Sequence, residues 1–409
     1  MKRLLSIALL LCVCITFSAC GKNDTAKTLN ENNELTLVLR EGTYADVIKA
    51  ELETFEKKYG VTCDVMEFSE DELRKKVVNP DEDDAIDLCM VDGSWIAESV
   101  EKKTLLPLSD YDYSLDKDII PATTVVSYYD NELYVAPFYG NVTVLFYNKA
   151  SLKEVDCVES DITSLMKLYQ TCSDAQKQGR LGFLYRGDTN NNIVVDFLPI
   201  LLSFGGWVVD EENYPTINST EFKNAFNFYL NLVQTGKAME KEELIEAIEN
   251  GSATAAIGWP GWYMVGEDTP AGYSALYGRF SDTSPTYNAN VYGIWTLGVS
   301  SRSKNPEMAV ELLKYLMDQD VQLESMENGG VPCRYSCLEN EGVLKKHPEY
   351  EEVRLALERG QYRPIIPNWN EFCEILGTQM KRGIDGKAGV EECAEEAQKQ
   401  LEELLKKET

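Results

Sequence analysis

Leu35-Thr36-Leu37-Val38-Leu39, then Arg40-Glu41-Gly42-Thr43, then Ile48, Leu52, Phe55 and Tyr59 up to Gly60, then Val61-Thr62-Cys63-Asp64-Val65: this stretch decides the fold of the 409-residue chain. Leu35, Leu37 and Leu39 alternate, which puts apolar side chains on one face of an extended strand. The next apolar residues recur at steps of four, three and four, the period of a helix with one buried face, and Gly60 stops it. Val61, Cys63 and Val65 then alternate again. Strand, helix and strand in this order predict a parallel sheet flanked by helices, with a ligand crevice in the loops at the carboxyl ends of its strands. A further apolar run from Ala85 to Val91 leads into Asp92-Gly93-Ser94-Trp95, so those loops carry Tyr44, Asp92 and Trp95.

Downstream the pattern repeats with more helix. Phe222, Ala225, Phe226, Tyr229 and Val233 form one apolar face ahead of Gly236, and Thr254 to Ile257 reads as a short strand. Val291 to Val299 reads as another strand, Asn305-Pro306 opens a helix carrying Ala309, Leu312, Leu313 and Leu316, and Val390, Ala394, Ala397 and Leu401 mark a terminal amphipathic helix. A chain of this length exceeds what one hydrophobic core supports, roughly 250 to 300 residues, so two lobes are expected.

The amino terminus reads as an export signal: Lys2 and Arg3, an apolar run from Leu4 to Phe17, and small residues before Cys20. That run is shorter than the roughly 20 residues needed to cross a bilayer. Residues 1–19 are therefore expected to be removed, with Cys20 as the first mature residue and 20–33 as a polar tether. Thirty-nine Lys and Arg against 68 Asp and Glu give a formal charge of −29, which makes nucleic acid a poor partner. Eight cysteines lie beyond Cys20, and their spacing does not dictate pairing. His347 is the sole histidine, and no zinc-ligand spacing is present. Asp81 to Asp84 lacks the alternating ligands, central glycine and closing glutamate of a calcium loop and reads as solvated. No metal or cofactor is expected.

Asn131-Glu132-Leu133-Tyr134-Val135-Ala136-Pro137-Phe138, with Leu145-Phe146-Tyr147-Asn148-Lys149, resembles the bacterial extracellular solute-binding proteins of family 1, relatives of maltose-binding protein. The resemblance continues in order through Gly205-Gly206-Trp207, Asn218-Ser219-Thr220-Glu221, Gly251 to Trp262, Ser303-Lys304-Asn305-Pro306-Glu307 and Gly329-Gly330-Val331-Pro332. The chain departs from the family at Asp83-Asp84-Ala85-Ile86-Asp87, where a Pro-Asp pair is usual, and at Gly258-Trp259-Pro260-Gly261-Trp262, where Gly-Pro-Trp is usual. The second departure leaves open which tryptophan faces the cleft. Cys20 itself resembles a lipobox cysteine, which implies a diacylglyceryl anchor at the outer face of the cell membrane.

The resemblance implies an α/β, two-lobed periplasmic-binding-protein-like fold of class II, each lobe a mainly parallel sheet, with three crossovers near Asn141, Val291 to Leu297 and Gly329 to Pro332. The lobes would comprise 34–140 with 292–330, and 141–291 with 331–409. It further implies a monomeric, non-enzymatic binding protein that closes over a sugar or oligosaccharide and delivers it to the transmembrane subunits of an ABC importer. Pyranose rings present apolar C–H faces to aromatic rings and hydroxyls to polar groups. Trp259, Trp262 and Trp295 are thus the leading platforms, with Trp95 beside them, while Trp207 and Trp369 read as core. Asp92 and Asn141 are the polar candidates. Tyr44, Tyr139 in the first crossover and Asp196 follow, with helix capping or ordinary loop polarity as their alternative role. Two other functions fit the composition: a lipoprotein for a polyamine, peptide or sensor partner, and a glycoside hydrolase, although no carboxylate pair is marked in the sequence.

Overall fold

The computed structural model describes residues 33–265 and 268–406. The leader, Cys20 and the tether up to residue 32 lie outside the described residues. Two five-stranded sheets organise the rest. The first runs, edge to edge, through Thr62–Phe68, Glu34–Arg40, Leu88–Asp92, Trp295–Val299 and Val135–Tyr139. The second runs through Ala271–Ser274, Val144–Asn148, Ala253–Gly258, Leu181–Arg186 and Lys237–Met239.

Each sheet is mixed rather than mainly parallel. Glu34–Arg40 pairs in parallel with both of its neighbours, as the opening repeat predicts, and Leu181–Arg186 does the same in the second sheet. Trp295–Val299 arrives from the other lobe and runs antiparallel to the strands on either side of it. Val144–Asn148, which enters the second lobe from the first crossover, is likewise antiparallel to both of its partners. A strand that follows a crossover between lobes lacks the local helical return that keeps consecutive strands parallel, and this accounts for both reversals.

The helices form where the spacing predicts. Thr43–Tyr59 buries Ile48, Leu52 and Phe55 and ends at Gly60, whose φ of 68° is the left-handed conformation that glycine adopts without strain. Thr220–Val233 starts on Ser219, whose hydroxyl accepts the Phe222 N–H at 3.2 Å, and buries Phe222, Ala225, Phe226 and Tyr229. Phe197 meets Phe222 and Phe226 at centroid distances of 5.4 and 6.0 Å. Each such fully buried ring contributes about 1.5–3 kcal/mol. The terminal helix Val390–Leu405 buries Cys393, Ala394, Ala397 and Leu401 on one face. All eight described cysteines are free thiols, six of them buried, where a thiol packs as a small apolar group.

The hinge differs from expectation in one strand. The strand read over Val291 to Val299 is broken at Gly293 into Asn290–Tyr292 and Trp295–Val299, because the Gly293 N–H turns to Asn141 O at 2.9 Å. Past Gly329 to Pro332, the expected third crossover, residues 333–338 stay with the first lobe: Ile120 N–H donates to Cys333 O, and buried Arg334 reaches Asp116, Asp118 and Gln322 at 3.0–3.1 Å. The helix Glu349–Glu358 then touches the second lobe, Glu352 Oε2 accepting the Ala275 N–H at 2.9 Å, and Gly360–Tyr362 pairs in parallel with Asn290–Tyr292.

Candidate functional site

A cleft of about 730 Å³ opens at the carboxyl ends of the strands of both sheets. It is lined from the first lobe by Tyr44, Glu70, Asp92, Trp95 and Trp295, from the crossings by Asn141 and Arg363, and from the second lobe by Arg186, Trp259 and Trp262.

Local folding explains how each side chain arrives there. Tyr44 sits in the first turn of the helix that follows Glu34–Arg40. Asp92 ends its strand and caps the next turn, its Oδ1 accepting the Ser94 N–H at 2.8 Å and the Ser94 hydroxyl at 2.6 Å. That turn presents Trp95, whose ring meets Trp295 edge-on at 5.4 Å; Trp295 lies 5.7 Å from the Tyr44 ring. On the opposite wall, the break after Ala253–Gly258 carries Trp259 and Trp262. Both tryptophans line the cleft, which answers the question left open by the Gly258 to Trp262 motif. Trp259 is only 5 % exposed because its indole rests on Gly293; a Cβ there would come within 2.7 Å of the ring. Trp262 is more open, and the Arg186 guanidinium lies 5.1 Å from its ring centroid.

Of the residues singled out from sequence, Tyr44, Asp92, Trp95, Asn141, Trp259, Trp262 and Trp295 share this cleft. Tyr139 and Asp196 do not line it. Tyr139 is 1 % exposed, packs edge-on against Tyr44 and donates its hydroxyl to Gly329 O at 2.6 Å, so it holds the hinge segment behind the wall. Asp196 is wholly buried and accepts from Arg186 Nε at 3.1 Å and from the Arg186 backbone N–H at 3.0 Å. It aims the guanidinium that covers Trp262. Trp369 is core, stacked on Phe372 at 5.3 Å, as read from sequence.

Glu70, Arg186 and Arg363 were not singled out. Arg363 Nη2 donates to Asp92 Oδ1 at 2.6 Å across 271 residues, a pairing without a sequence signal. Arg186 ends the Leu181–Arg186 strand, and the rule that strand ends feed the crevice could have found it.

The charges near the cleft floor are largely matched. Asp92 pairs with Arg363, and Arg186 with Asp196. Desolvation works against the Arg186 charge and is outweighed by Asp196, which holds the guanidinium above its ordinary value. Burial pushes the Tyr44 phenol well up, with Arg40 opposing, so it stays a neutral donor and acceptor. Asn141 Nδ2 donates to Tyr44 Oη at 3.2 Å, while its Oδ1 is buried with no partner among the described residues.

Burial, then the neighbouring Asp92 charge, raises the Glu70 carboxyl above its ordinary 4.5, with Arg363, Arg40 and Arg186 opposing. A carboxyl whose folded pKa is raised adds stability while protonated and loses that contribution as pH climbs through the folded value. Glu70→Gln is therefore expected to raise the melting temperature of the ligand-free chain at pH 7.5, with the gain shrinking toward pH 4. Melting curves across that range check it; a gain that does not change with pH counts against the shift.

The family model described as bacterial extracellular solute-binding protein matches residues 41–323. The galactooligosaccharide-binding protein of Bacillus subtilis is 24% identical over 96% of this chain and 96% of its own. A probable amino-acid ABC transporter periplasmic-binding protein of Sinorhizobium fredii is 22% identical over 62% of this chain, and the alignment spans only 60% of that relative's length. Among solved structures, maltose-bound MalE3 of T. maritima superposes with a TM-score of 0.79 at 22% identity, covering 91% of this chain and 99% of the other.

Proposed function

The chain belongs to the bacterial extracellular solute-binding protein family, and on that premise we propose that its cleft captures a neutral sugar or oligosaccharide for an ABC importer. The carrying observation is the gathering of Trp95, Trp259, Trp262 and Trp295 with Asn141 and Asp92 in one cleft, where Arg363 pairs with Asp92 and Arg186 with Asp196. Indole faces suit the C–H faces of a pyranose, and amide and carboxylate oxygens suit its hydroxyls. The names of the Bacillus and Thermotoga relatives, which refer to galactooligosaccharide and maltose, support the same reading.

A polyamine is the second reading, since eight acidic residues against five basic ones line the same space. Binding rather than turnover is the reading, and absence of hydrolysis of aryl glycosides belongs to it. Closure of the lobes about the Asn141, Asn290–Tyr292 and Gly360–Tyr362 crossings would bury the sugar and present the closed form to the permease.

The mature chain is expected to gain thermal stability with at least one mono- or oligosaccharide, by an amount that rises with the ratio of ligand concentration to Kd. A sugar panel that leaves melting unchanged, beside a polyamine or amino acid that shifts it, overturns the carbohydrate assignment.

Cys20 is proposed as the lipidated first residue that holds the chain at the outer face of the membrane through the 20–33 tether. Cys20→Ser is expected to move the protein from the membrane fraction to the soluble exported fraction, read by immunoblot of the two fractions. Unchanged membrane association would remove the anchor from the proposal.

A further inference from the structure

On the second lobe, outside the cleft, a groove of about 730 Å³ runs between the Thr220–Val233 helix and the loop at 276–288. In a chain of net charge −29 none of the residues lining it is charged. Its floor is a cluster of three rings, Phe204, Phe228 and Phe280, with centroids 4.8–5.8 Å apart. One wall is a ridge of carboxamides: Asn224, Asn227 and Asn231 stand three and four residues apart on one face of the helix, all exposed. Asn231 Nδ2 donates to Asn227 O at 2.8 Å, while the side chains of Asn224 and Asn227 make no hydrogen bond among the described residues. Tyr287, 43% exposed, forms the rim.

The far wall is built rather than incidental. Leu165 and Met166 N–H donate to Arg279 O and Phe280 O at 3.0 and 2.9 Å, and Tyr287 N–H donates to Gly278 O at 2.7 Å. Gly205, with φ of 76°, lets the Tyr287 ring lie on the backbone: a Cβ there would come within 2.7 Å of it. The loop that carries Phe280 and Tyr287 is thus pinned to the start of the Leu165–Lys177 helix and to Gly205, and Phe280 meets Phe228 of the amide-bearing helix at 5.8 Å.

We infer that this groove is a second carbohydrate-binding site, one that holds a segment of a neutral glycan chain on the outside of the second lobe. Aromatic rings supply stacking faces, and amides spaced along a helix supply donors and acceptors for successive hydroxyls. The lack of charge matches a neutral polyol, whereas the surrounding acidity repels anionic polymers. The inference stands on the groove's own chemistry, and its test separates it from the cleft.

The test is affinity electrophoresis of the mature chain in native gels cast with dextran, hydrolysed starch, arabinoxylan or galactomannan, each compared with a polymer-free gel. The parent chain and a cleft variant, Trp262→Ala, are expected to be retarded about twofold or more by at least one polymer. Asn227→Ala combined with Tyr287→Ala is expected to run freely while keeping the parent's circular dichroism spectrum and cooperative melting. Both positions are exposed, and that retained melting shows the variant folded. The inference is overturned if no polymer retards Trp262→Ala, or if the groove variant is retarded like its parent. It is also overturned if the groove proves to hold an apolar partner: retention on a phenyl matrix that Tyr287→Ala abolishes, with no polymer retardation.

Discussion

Asp196→Ala is expected to lower unfolding stability by about 3–5 kcal/mol, read as a fall in the urea midpoint with an unchanged slope. The pair it breaks is nearly dry: the Asp196 side chain is 1% exposed and that of Arg186 11%. Removing the carboxylate strands a guanidinium that is mostly buried. It also leaves the Arg186 backbone N–H without the acceptor that Asp196 provides at 3.0 Å. The cost is that of an uncompensated charge and not the net worth of the pair. Arg186→Met with Asp196→Leu, which empties the site of charge, is therefore expected to recover most of the loss. A drop below about 1 kcal/mol in the single variant would contradict the packing described for this site.

The second large effect concerns Trp262. With the sugar that stabilises the parent chain, Trp262→Ala is expected to weaken binding by about 2–3 kcal/mol, on the order of 30- to 150-fold. The ring is partly exposed and lies across the cleft from Trp295 and Trp95, so its removal takes away a stacking face with little loss of core. Ligand-free melting should stay close to the parent's, while the ligand-induced shift collapses. Trp369→Phe is the matched control: its indole stacks in the second core, and the ligand shift should survive whatever happens to stability. Equal binding by parent and Trp262→Ala would take the indole out of the site.

The Glu70 variant reports on the facing wall of the same cleft. Its carboxyl feels Asp92 and three arginines contributed by separate segments. A pH-dependent gain would show that these groups share one electrostatic environment.

The local patterns carried far. Leu35, Leu37 and Leu39 lie on the strand that pairs in parallel with both of its neighbours in the first sheet, and the Ile48 to Tyr59 spacing marks the helix that delivers Tyr44. Strand alternation and helical period depend on neighbours a few residues away, and that is why the α/β class and most element positions are legible. Seven of the nine residues named as ligand contacts share the cleft, because strand ends converge there whatever the exact loops do. Whether they touch a sugar is the matter of the Trp262 experiment.

Other features depend on partners that local periodicity does not pair. Asp196 looks like a loop carboxylate until the fold sets it against Arg186, and Asp92 like a ligand acceptor until Arg363 arrives at 2.6 Å. Pairing of buried charges follows from proximity in space, on which periodicity is silent. Arg334 is held in the same way by the first lobe's Asp116 and Asp118. Strand and helix patterns thus set the elements and the crevice end of each sheet. Tertiary packing chose which polar groups neutralise one another, which indole keeps an open face, and where the chain passes between lobes, because each of those is settled by desolvation among groups brought together only by folding.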